Sequence, residues 1–258
     1  MGEANREVTF LTAEEGLLRA TVFGGPKSKL RAYAAPYHQG TLWLYHDPVK
    51  DYRKVTDFDV QIWRPGLREL YDRSMAASAV AETILAAHGG GGNWKDALTL
   101  AAGALDALNT TDEHTSRRIV IHFLWNWADI LGARPEMETC ASCGKRLVVN
   151  SGSAGSSPAN NNPFAAEAVW YSKREGSVLC PACAGLSAEE LPTLSPDFAA
   201  DYLPLSPGTR RWLAAVQELK ASLLTRLIPD KTAEREAKAL TTAILSDALG
   251  KRLATWDW

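Results

Sequence analysis

The chain has 258 residues, of which 46% are hydrophobic and 22% are charged, and its formal net charge is −2. This composition is typical of a globular protein of one or two domains, and it excludes disordered, collagen-like and disulfide-dense small proteins. No run of 18 apolar residues occurs and the start of the chain lacks a signal-peptide pattern, so the sequence predicts a cytoplasmic protein. Because the cytoplasm is reducing, we do not expect the four cysteines to form disulfides.

The first 64 residues are predicted to form short β-strands. Apolar and polar residues alternate in several segments, and Gly, Pro and Asp turns separate them. The predicted strands lie at residues 8–10, 18–22, 42–45 and 58–62. Short strands at this spacing are typical of a small barrel or sandwich.

From residue 65 the spacing of apolar residues becomes helical. Helices are predicted over about 67–85 and 94–108, and a third begins near Thr110, where Glu113 completes a capping-box pattern. The helical pattern returns at Ser206-Pro207, continues to Leu227, and resumes over about 240–249. Residues 150–163 contain no charge and no large apolar side chain, which predicts a mobile loop.

The four cysteines form two Cys-x-x-Cys pairs, Cys140 with Cys143 and Cys180 with Cys183. Two such pairs can supply the four thiolates of one tetrahedral Zn²⁺. Four protein ligands leave no open coordination position, so the predicted role of the metal is structural. The alternative is redox chemistry at one reactive pair, which needs a helix start in a βαβ unit.

Basic residues are concentrated in the N-terminal region. Seven Lys and Arg but only two Asp lie between Gly16 and Lys54, so this segment carries a charge of +5 and the remaining residues sum to −7. Aromatic residues are interleaved with the basic ones. This combination on a small barrel suits single-stranded nucleic acid, by phosphate attraction and base stacking. The alternative is a solvated barrel surface whose aromatic residues lie in the core.

Several short segments, taken in their order along the chain, carry a family resemblance. They are residues 16–20, 26–30, 65–68, 130–135, 140–144 and 249–253. Together they resemble the RecO family of DNA repair proteins, which act as recombination mediators, and the resemblance covers nearly the whole chain.

The resemblance implies an α+β protein with three parts. These are an OB-fold β-barrel over 1–64, a helical domain over 65–135 and 186–258, and a zinc finger inserted at 136–185. Family members usually carry a further strand before the segment that matches residues 6–11. Two interpretations therefore stay open, that the first strand of the barrel is missing or that the start of the chain is misassigned.

The resemblance also implies a function without catalysis in DNA repair and recombination. The family binds single- and double-stranded DNA, anneals complementary strands, and loads recombinase together with RecR and single-stranded DNA-binding protein. On this reading the protein is bacterial and nucleoid-associated, Arg19, Lys27, Lys29 and Arg31 hold phosphates, Tyr33 stacks on bases, and Zn²⁺ is structural. The competing hypotheses are a zinc-ribbon module that binds proteins without touching DNA, and a Cys-x-x-Cys redox enzyme.

Overall fold

The computed structural model describes residues 5–25, 27–147, 168–185 and 201–257. The predicted mobile loop at 150–163 lies outside these residues. The chain divides into two compact units, residues 1–123 with 253–258 and residues 124–252. Strands come first and helices dominate the rest, so the α+β class is confirmed. No helix in the described ranges is long and apolar enough to cross a membrane.

The first unit contains a four-stranded sheet that matches all four predicted strand segments. Its strands are β1 (Arg6–Thr12), β2 (Gly16–Val22), β3 (Gln39–Asp47) and β4 (Tyr52–Ile62). A five-residue helix, α1 (Lys29–Tyr33), lies on the connection from β2 to β3. In β2 the side chains alternate strictly, with Leu18, Ala20 and Val22 buried, as expected for a sheet that covers a core on one face.

The strand order is β1-β2-β4-β3, so β1 and β3 are the two edges. β1 is antiparallel to β2, β2 is parallel to β4, and β4 is antiparallel to β3. Both edges therefore run in the same direction. The predicted barrel is not closed by the described strands, because β1 and β3 do not pair with each other.

A cleft of about 700 Å³ opens along these two edges. Its lining includes the consecutive residues 8–12 of β1 and 39–42 of β3. Since successive side chains of a strand point to opposite faces, consecutive lining residues indicate that the cleft runs along the strand edges themselves. The buried residues of this core come mainly from β2 and β4, whereas the residues of β1 and β3 that pack on it are only partly buried.

Three long helices follow the sheet. They are α2 (Tyr71–Ala86), α3 (Trp94–Leu108) and α4 (Glu113–Ile130), close to the predicted bounds. The predicted capping box at Thr110 is wrong. Asp112 caps α4 instead, because its carboxylate accepts the backbone N–H of Thr115 at 2.8 Å.

The second unit contains the end of α4, a small sheet and the last helices. The strands are β5 (Val169–Ser172), β6 (Ser177–Leu179) and β7 (Tyr202–Leu205), in the order β6-β5-β7. The helices are α5 (Pro181–Ala184), α6 (Pro207–Gln217) and α7 (Lys231–Leu249).

The cap predicted at Ser206 is confirmed, since the Ser206 hydroxyl accepts the N–H of Thr209. The prediction of one helix as far as Leu227 is wrong. α6 ends at Gln217, and a 3₁₀ helix covers Ala221–Arg226. Between them Lys220 is extended, and the indole of Trp212 donates to the carbonyl of Leu227 at 3.1 Å. This bond holds the second segment back against α6.

Candidate metal centre and nucleic-acid interface

All four predicted metal ligands lie together in the second unit. The sulfur atoms of Cys140, Cys143, Cys180 and Cys183 are within 4.8 Å of one another, and those of Cys143 and Cys180 are 3.9 Å apart. Tetrahedral zinc with Zn–S bonds of about 2.3 Å has ligand sulfurs about 3.8 Å apart. The cluster therefore has the size and donor set of a four-thiolate zinc site.

The first cysteine pair lies on a tight turn whose ends are bridged by Thr139 and Arg146. The N–H of Cys140 donates to the carbonyl of Lys145, and the N–H of Gly144 donates to the carbonyl of Cys140, both at 2.9 Å. Gly144 has φ of +70°, a conformation that a residue with a Cβ rarely adopts. This turn brings Cys143 back beside Cys140.

The second pair starts the short helix α5, with Cys180 preceding Pro181 at the first helical position. The N–H of Cys183 donates to the carbonyl of Cys180 at 3.1 Å. The N–H of Cys180 in turn donates to the sulfur of Cys140 at 3.3 Å. The N–H of Ala141 bonds the carbonyl of Val178 on β6. The backbone therefore joins the two turns to each other and to the small sheet.

Cys140 and Cys183 have pKa values shifted in opposite directions. Burial disfavours the thiolate of Cys140, but the backbone N–H groups of Cys180, Cys143 and Ser142 outweigh it and lower the pKa of Cys140 to about 6. At Cys183 a hydrogen bond from Ser142 lowers the pKa, but the neighbouring cysteines outweigh it and raise the pKa to about 12. Four thiolates at these distances repel one another, and a divalent cation would remove that penalty.

The predicted phosphate-binding residues lie in the first unit, on and around β2 and α1. Arg19 is exposed on the solvent face of β2, Lys27 and Lys29 are exposed, and Arg31 is half-buried on α1. Three of the four predicted cations, Arg19, Lys27 and Lys29, therefore lie at the surface.

The predicted stacking of Tyr33 on bases needs an exposed ring, but the ring of Tyr33 is only partly exposed. The side chain is half-buried and packs against the core of the sheet. Its ring meets the ring of Trp63 edge-on, with centroids 5.7 Å apart. The cause is the amphipathic character of α1, which turns Leu30 and Tyr33 toward the sheet. Its role in stacking on bases stays a prediction.

Several other aromatic side chains of the first unit are more exposed. Trp43 and Tyr45 on β3 are 47% and 55% exposed, and Phe23 is 38% exposed after β2. The ammonium of Lys54 lies 5.0 Å above the ring of Phe23. Aliphatic and aromatic residues alternate in the segment Leu42, Trp43, Leu44 and Tyr45. This alternation could have predicted which of these side chains face the core and which are exposed.

Comparison with known proteins gives consistent results. Residues 68–257 match the family model described as "Recombination protein O C terminal". The chain is 26% identical over 239 residues to a DNA repair protein RecO of Nocardioides sp., covering 87% of this chain and 88% of that protein. It is 24% identical to one of Gloeobacter violaceus, over 80% and 75% of the two chains. It is also 24% identical to one of Desulfitobacterium hafniense, over 99% and 83%.

Proposed function

The chain belongs to the recombination protein O family, and from this premise we propose that it is a DNA repair and recombination mediator that binds DNA. The observation that carries the proposal is the family match over residues 68–257, together with relatives named DNA repair protein RecO that align over most of the chain.

We place the DNA contacts on the first unit. Lys27 and Lys29 are exposed beside α1, and Arg19 is exposed on β2. Exposed cations attract phosphates without reading sequence, so this surface would bind any DNA with similar affinity. Arg31 and Tyr33, which are half-buried, belong to the same proposed site.

The proposed metal is Zn²⁺ with a structural role. The four sulfurs satisfy its coordination number, so neither water nor substrate would reach the metal. Bound zinc would supply a cross-link between the turn at Cys140 and the start of α5. The cysteines would hold the small sheet and its flanking turns in one arrangement, as a zinc finger within the helical domain.

We propose that the four-stranded sheet of the first unit is an OB-like barrel with room for one further strand. β1 and β3 run in the same direction, so a strand between them would be antiparallel to both edges. The cleft of about 700 Å³ lies along those edges, and the partly buried residues Val8, Phe10, Leu42 and Leu44 line it. An added strand would complete the burial of these side chains and satisfy the edge backbone groups.

The proposed partners are single- and double-stranded DNA, RecR and single-stranded DNA-binding protein. In this role the protein anneals complementary strands and helps to load recombinase, without catalysing a reaction itself. We also propose nucleoid association and the three-part domain division given above.

Salt-dependent DNA binding tests the proposal. We expect the chain to bind single-stranded DNA, with an affinity that falls steeply as salt increases. Changing Lys27, Lys29 and Arg31 together to Ala should weaken binding to all sequences about equally. Each lost phosphate contact lowers the salt slope by roughly 0.7 on single strands, so three contacts remove about 2.

A matched control changes three cations of the second unit, Lys220, Lys231 and Arg235, to Ala. These residues lie outside the proposed site. This control should leave affinity and slope unchanged. If the parent protein binds no DNA at low salt, the mediator proposal fails and the protein-binding zinc-ribbon hypothesis takes its place. If the parent binds and the Lys27, Lys29 and Arg31 variant binds equally well, the site lies elsewhere.

A further inference from the structure

The two Cys-x-x-Cys turns of the second unit expose their cysteines unequally. Cys140 and Cys180 are 1% and 4% exposed, whereas Cys143 is exposed and Cys183 is half-buried. Residues 141–146 around Cys143 are all exposed, so solvent reaches the turn as well as the cysteine. A thiolate reacts with an oxidant only where the oxidant can reach it. Exposure therefore distinguishes Cys143 from the two buried cysteines of the cluster.

Hydrogen bonds further weaken two of the other cysteines as nucleophiles. The backbone N–H groups of Cys180 and Ser142 donate to the sulfur of Cys140. The hydroxyl of Ser142 donates to the sulfur of Cys183. A hydrogen bond stabilises the negative charge of a thiolate and makes it a weaker nucleophile. Because Cys140 and Cys180 are also shielded by burial, Cys143 is the cysteine that an oxidant meets first.

A second sulfur lies close to Cys143, and it belongs to the other turn. The Sγ atom of Cys180, the residue before α5, is 3.9 Å from the Sγ atom of Cys143. A disulfide bond is about 2.05 Å long, so the two sulfurs need to approach each other by only about 2 Å. An oxidised Cys143 therefore has a resolving thiolate within reach.

We propose that Cys143 is a peroxide-reactive modification site and that Cys180 is its resolving partner. The co-reactant is a hydroperoxide, such as hydrogen peroxide, and the product is a disulfide between Cys143 and Cys180. This proposal rests on the zinc site proposed above. It adds an oxidation reaction that exchanges the metal for a covalent cross-link.

The reaction consumes one peroxide and two thiolates. The sulfur of Cys143 attacks one peroxide oxygen, the O–O bond breaks, hydroxide leaves, and Cys143 becomes a sulfenic acid. The thiolate of Cys180 then attacks the sulfur of Cys143, the S–S bond forms, and a second hydroxide leaves. Two protons convert the hydroxides to water, so the peroxide gains the two electrons that the sulfurs lose. With two ligands gone Zn²⁺ is released, and Cys140 and Cys183 each take up a proton.

The disulfide joins the same two backbone segments as the metal. Cys143 belongs to the turn that begins at Cys140, and Cys180 immediately precedes α5. By contrast, a disulfide within either Cys-x-x-Cys pair links residues of one turn and leaves the two turns unconnected. Oxidation should therefore remove zinc and keep β5 and β6 ordered, whereas a chelator should remove zinc and disorder both strands.

Limiting hydrogen peroxide, added to the zinc-loaded full chain, tests the proposal. Dimedone labels sulfenic acids, so peptide mass spectrometry locates the first cysteine that is oxidised. Mapping without dimedone gives the disulfide, and a chromogenic chelator measures the released zinc. The matched control is the same treatment of the zinc-free chain unfolded in urea. There the cysteines of each Cys-x-x-Cys pair are closest along the chain and should pair with each other.

In the native chain we expect dimedone on Cys143 and zinc release in parallel with formation of the disulfide between Cys143 and Cys180. Cys140 and Cys183 should remain thiols. Amide hydrogen exchange in β5 and β6 should stay close to that of the zinc-loaded protein after oxidation, and it should increase after chelation of the reduced protein. Dithiothreitol together with zinc should restore the original state.

The proposal fails, while the metal site stands, if dimedone labels another cysteine first or if the native chain forms the same disulfides within each pair as the unfolded chain. It also fails if β5 and β6 lose as much protection after oxidation as after chelation. A chain that binds no zinc contradicts the proposed metal centre itself.

Discussion

The strands of the first unit's sheet have 7, 7, 9 and 11 residues, whereas those of the second unit's sheet have 4, 3 and 4. The larger sheet covers a core in which Leu18, Val22, Val55 and Phe58 are at most 4% exposed. The smaller sheet is attached to two turns that carry four cysteines. Short strands with few residues seldom provide enough buried area for stability on their own. Apolar burial stabilises both sheets, since every side chain of β5 is buried, and we expect the proposed metal to add a second interaction to the smaller sheet alone.

The two sheets should differ in the kind of change to which each is sensitive. A sheet stabilised by apolar burial loses stability in proportion to the atoms removed from its core. A sheet stabilised by a metal loses most of its stability in a single step when one ligand is lost. Changes of similar chemical size should therefore have very different effects in the two units.

Removal of the metal should have the largest effect. We expect one zinc per chain, and a strong chelator or Cys143→Ser should disorder β5, β6 and the turn at Cys140. Zinc contributes about 10–16 kcal/mol of apparent binding free energy in small zinc-finger peptides. Amide hydrogen exchange, read separately in β5–β6 and in β2–β4, measures the effect. Only the first pair of strands should lose protection.

The matched control is Lys145→Ser, which changes an exposed residue of the same turn and should leave exchange unchanged. Metal analysis that finds well under one zinc per chain, with four reactive thiols in the folded protein, would rule out this account. So would a loss of protection in β2 and β4 as large as that in β5, because the two sheets would then share one stabilising interaction.

Substitution of the buried Arg64 in the first unit should have the next largest effect on stability. Arg64 is 3% exposed, and its guanidinium donates to Asp106, to the carbonyl of Tyr37 and to Gln39 at 2.6–2.9 Å. These bonds join α3 to the segment that enters β3 and hold Tyr37 at φ of +72°, an unfavourable value for a residue with a side chain.

Arg64→Met should lower the free energy of unfolding by about 2–4 kcal/mol, because it removes three hydrogen bonds of a buried guanidinium, one to the half-exposed Asp106 and two to partly buried acceptors. Arg117→Met is the control, since Arg117 forms an exposed pair with Glu113 and should cost no more than about 0.5 kcal/mol. Urea unfolding of both variants measures the difference. Equal costs would mean that the first unit does not depend on the Arg64 cluster.

The cysteine cluster was predictable from sequence because each Cys-x-x-Cys pair is a recognisable local motif, and two such pairs together form the donor set of one metal site. Two Cys-x-x-Cys pairs specify both ligands and turns, and the structure places all four sulfurs within 4.8 Å. The strands of the first unit and three long helices were predictable for the same reason, since periodicity is read over neighbouring residues. The end of α6 was not, because it depends on a bond from Trp212 to Leu227 that joins residues 15 apart.

The proposed nucleic-acid interface was less predictable because a surface is assembled from several strands. Charge counting located the basic segment but could not assign a face to each aromatic residue. Register decides that Tyr45 lies opposite Lys54, and a β-bulge between Trp43 and Leu44 shifts that register. Packing decides that Tyr33 is half-buried. Alternation along β3 separates its core side chains from its exposed ones, but it gives neither the partner of Tyr45 on β4 nor the packing of Tyr33.

Removal of the cap of α4 should have the smallest effect on stability. It also tests whether the two units unfold independently. Residues 113–123 of this helix belong to the first unit and 124–130 to the second. Asp112→Ala should cost about 1 kcal/mol, as should Asp230→Ala, which removes the cap of α7 in the second unit. If the units unfold separately, each variant should increase hydrogen exchange only in its own unit, and a uniform increase in both units would contradict that independence.

The same cap should also depend on pH. The N–H of Thr115 stabilises the carboxylate of Asp112 and lowers its pKa below the ordinary value of 3.8. The folded pKa is depressed, so the stabilisation is fully present above 3.8 and is lost as the pH falls through the lower folded value. Asp112→Asn keeps the accepting oxygen but does not titrate, so it should show a smaller acid-induced loss of protection at Thr115 and Ser116 than the parent. Exchange in this turn reports the cap rather than the metal centre, whose thiolates are also protonated by acid. An identical acid response of the parent and Asp112→Asn would show that the Asp112 charge does not stabilise the start of α4.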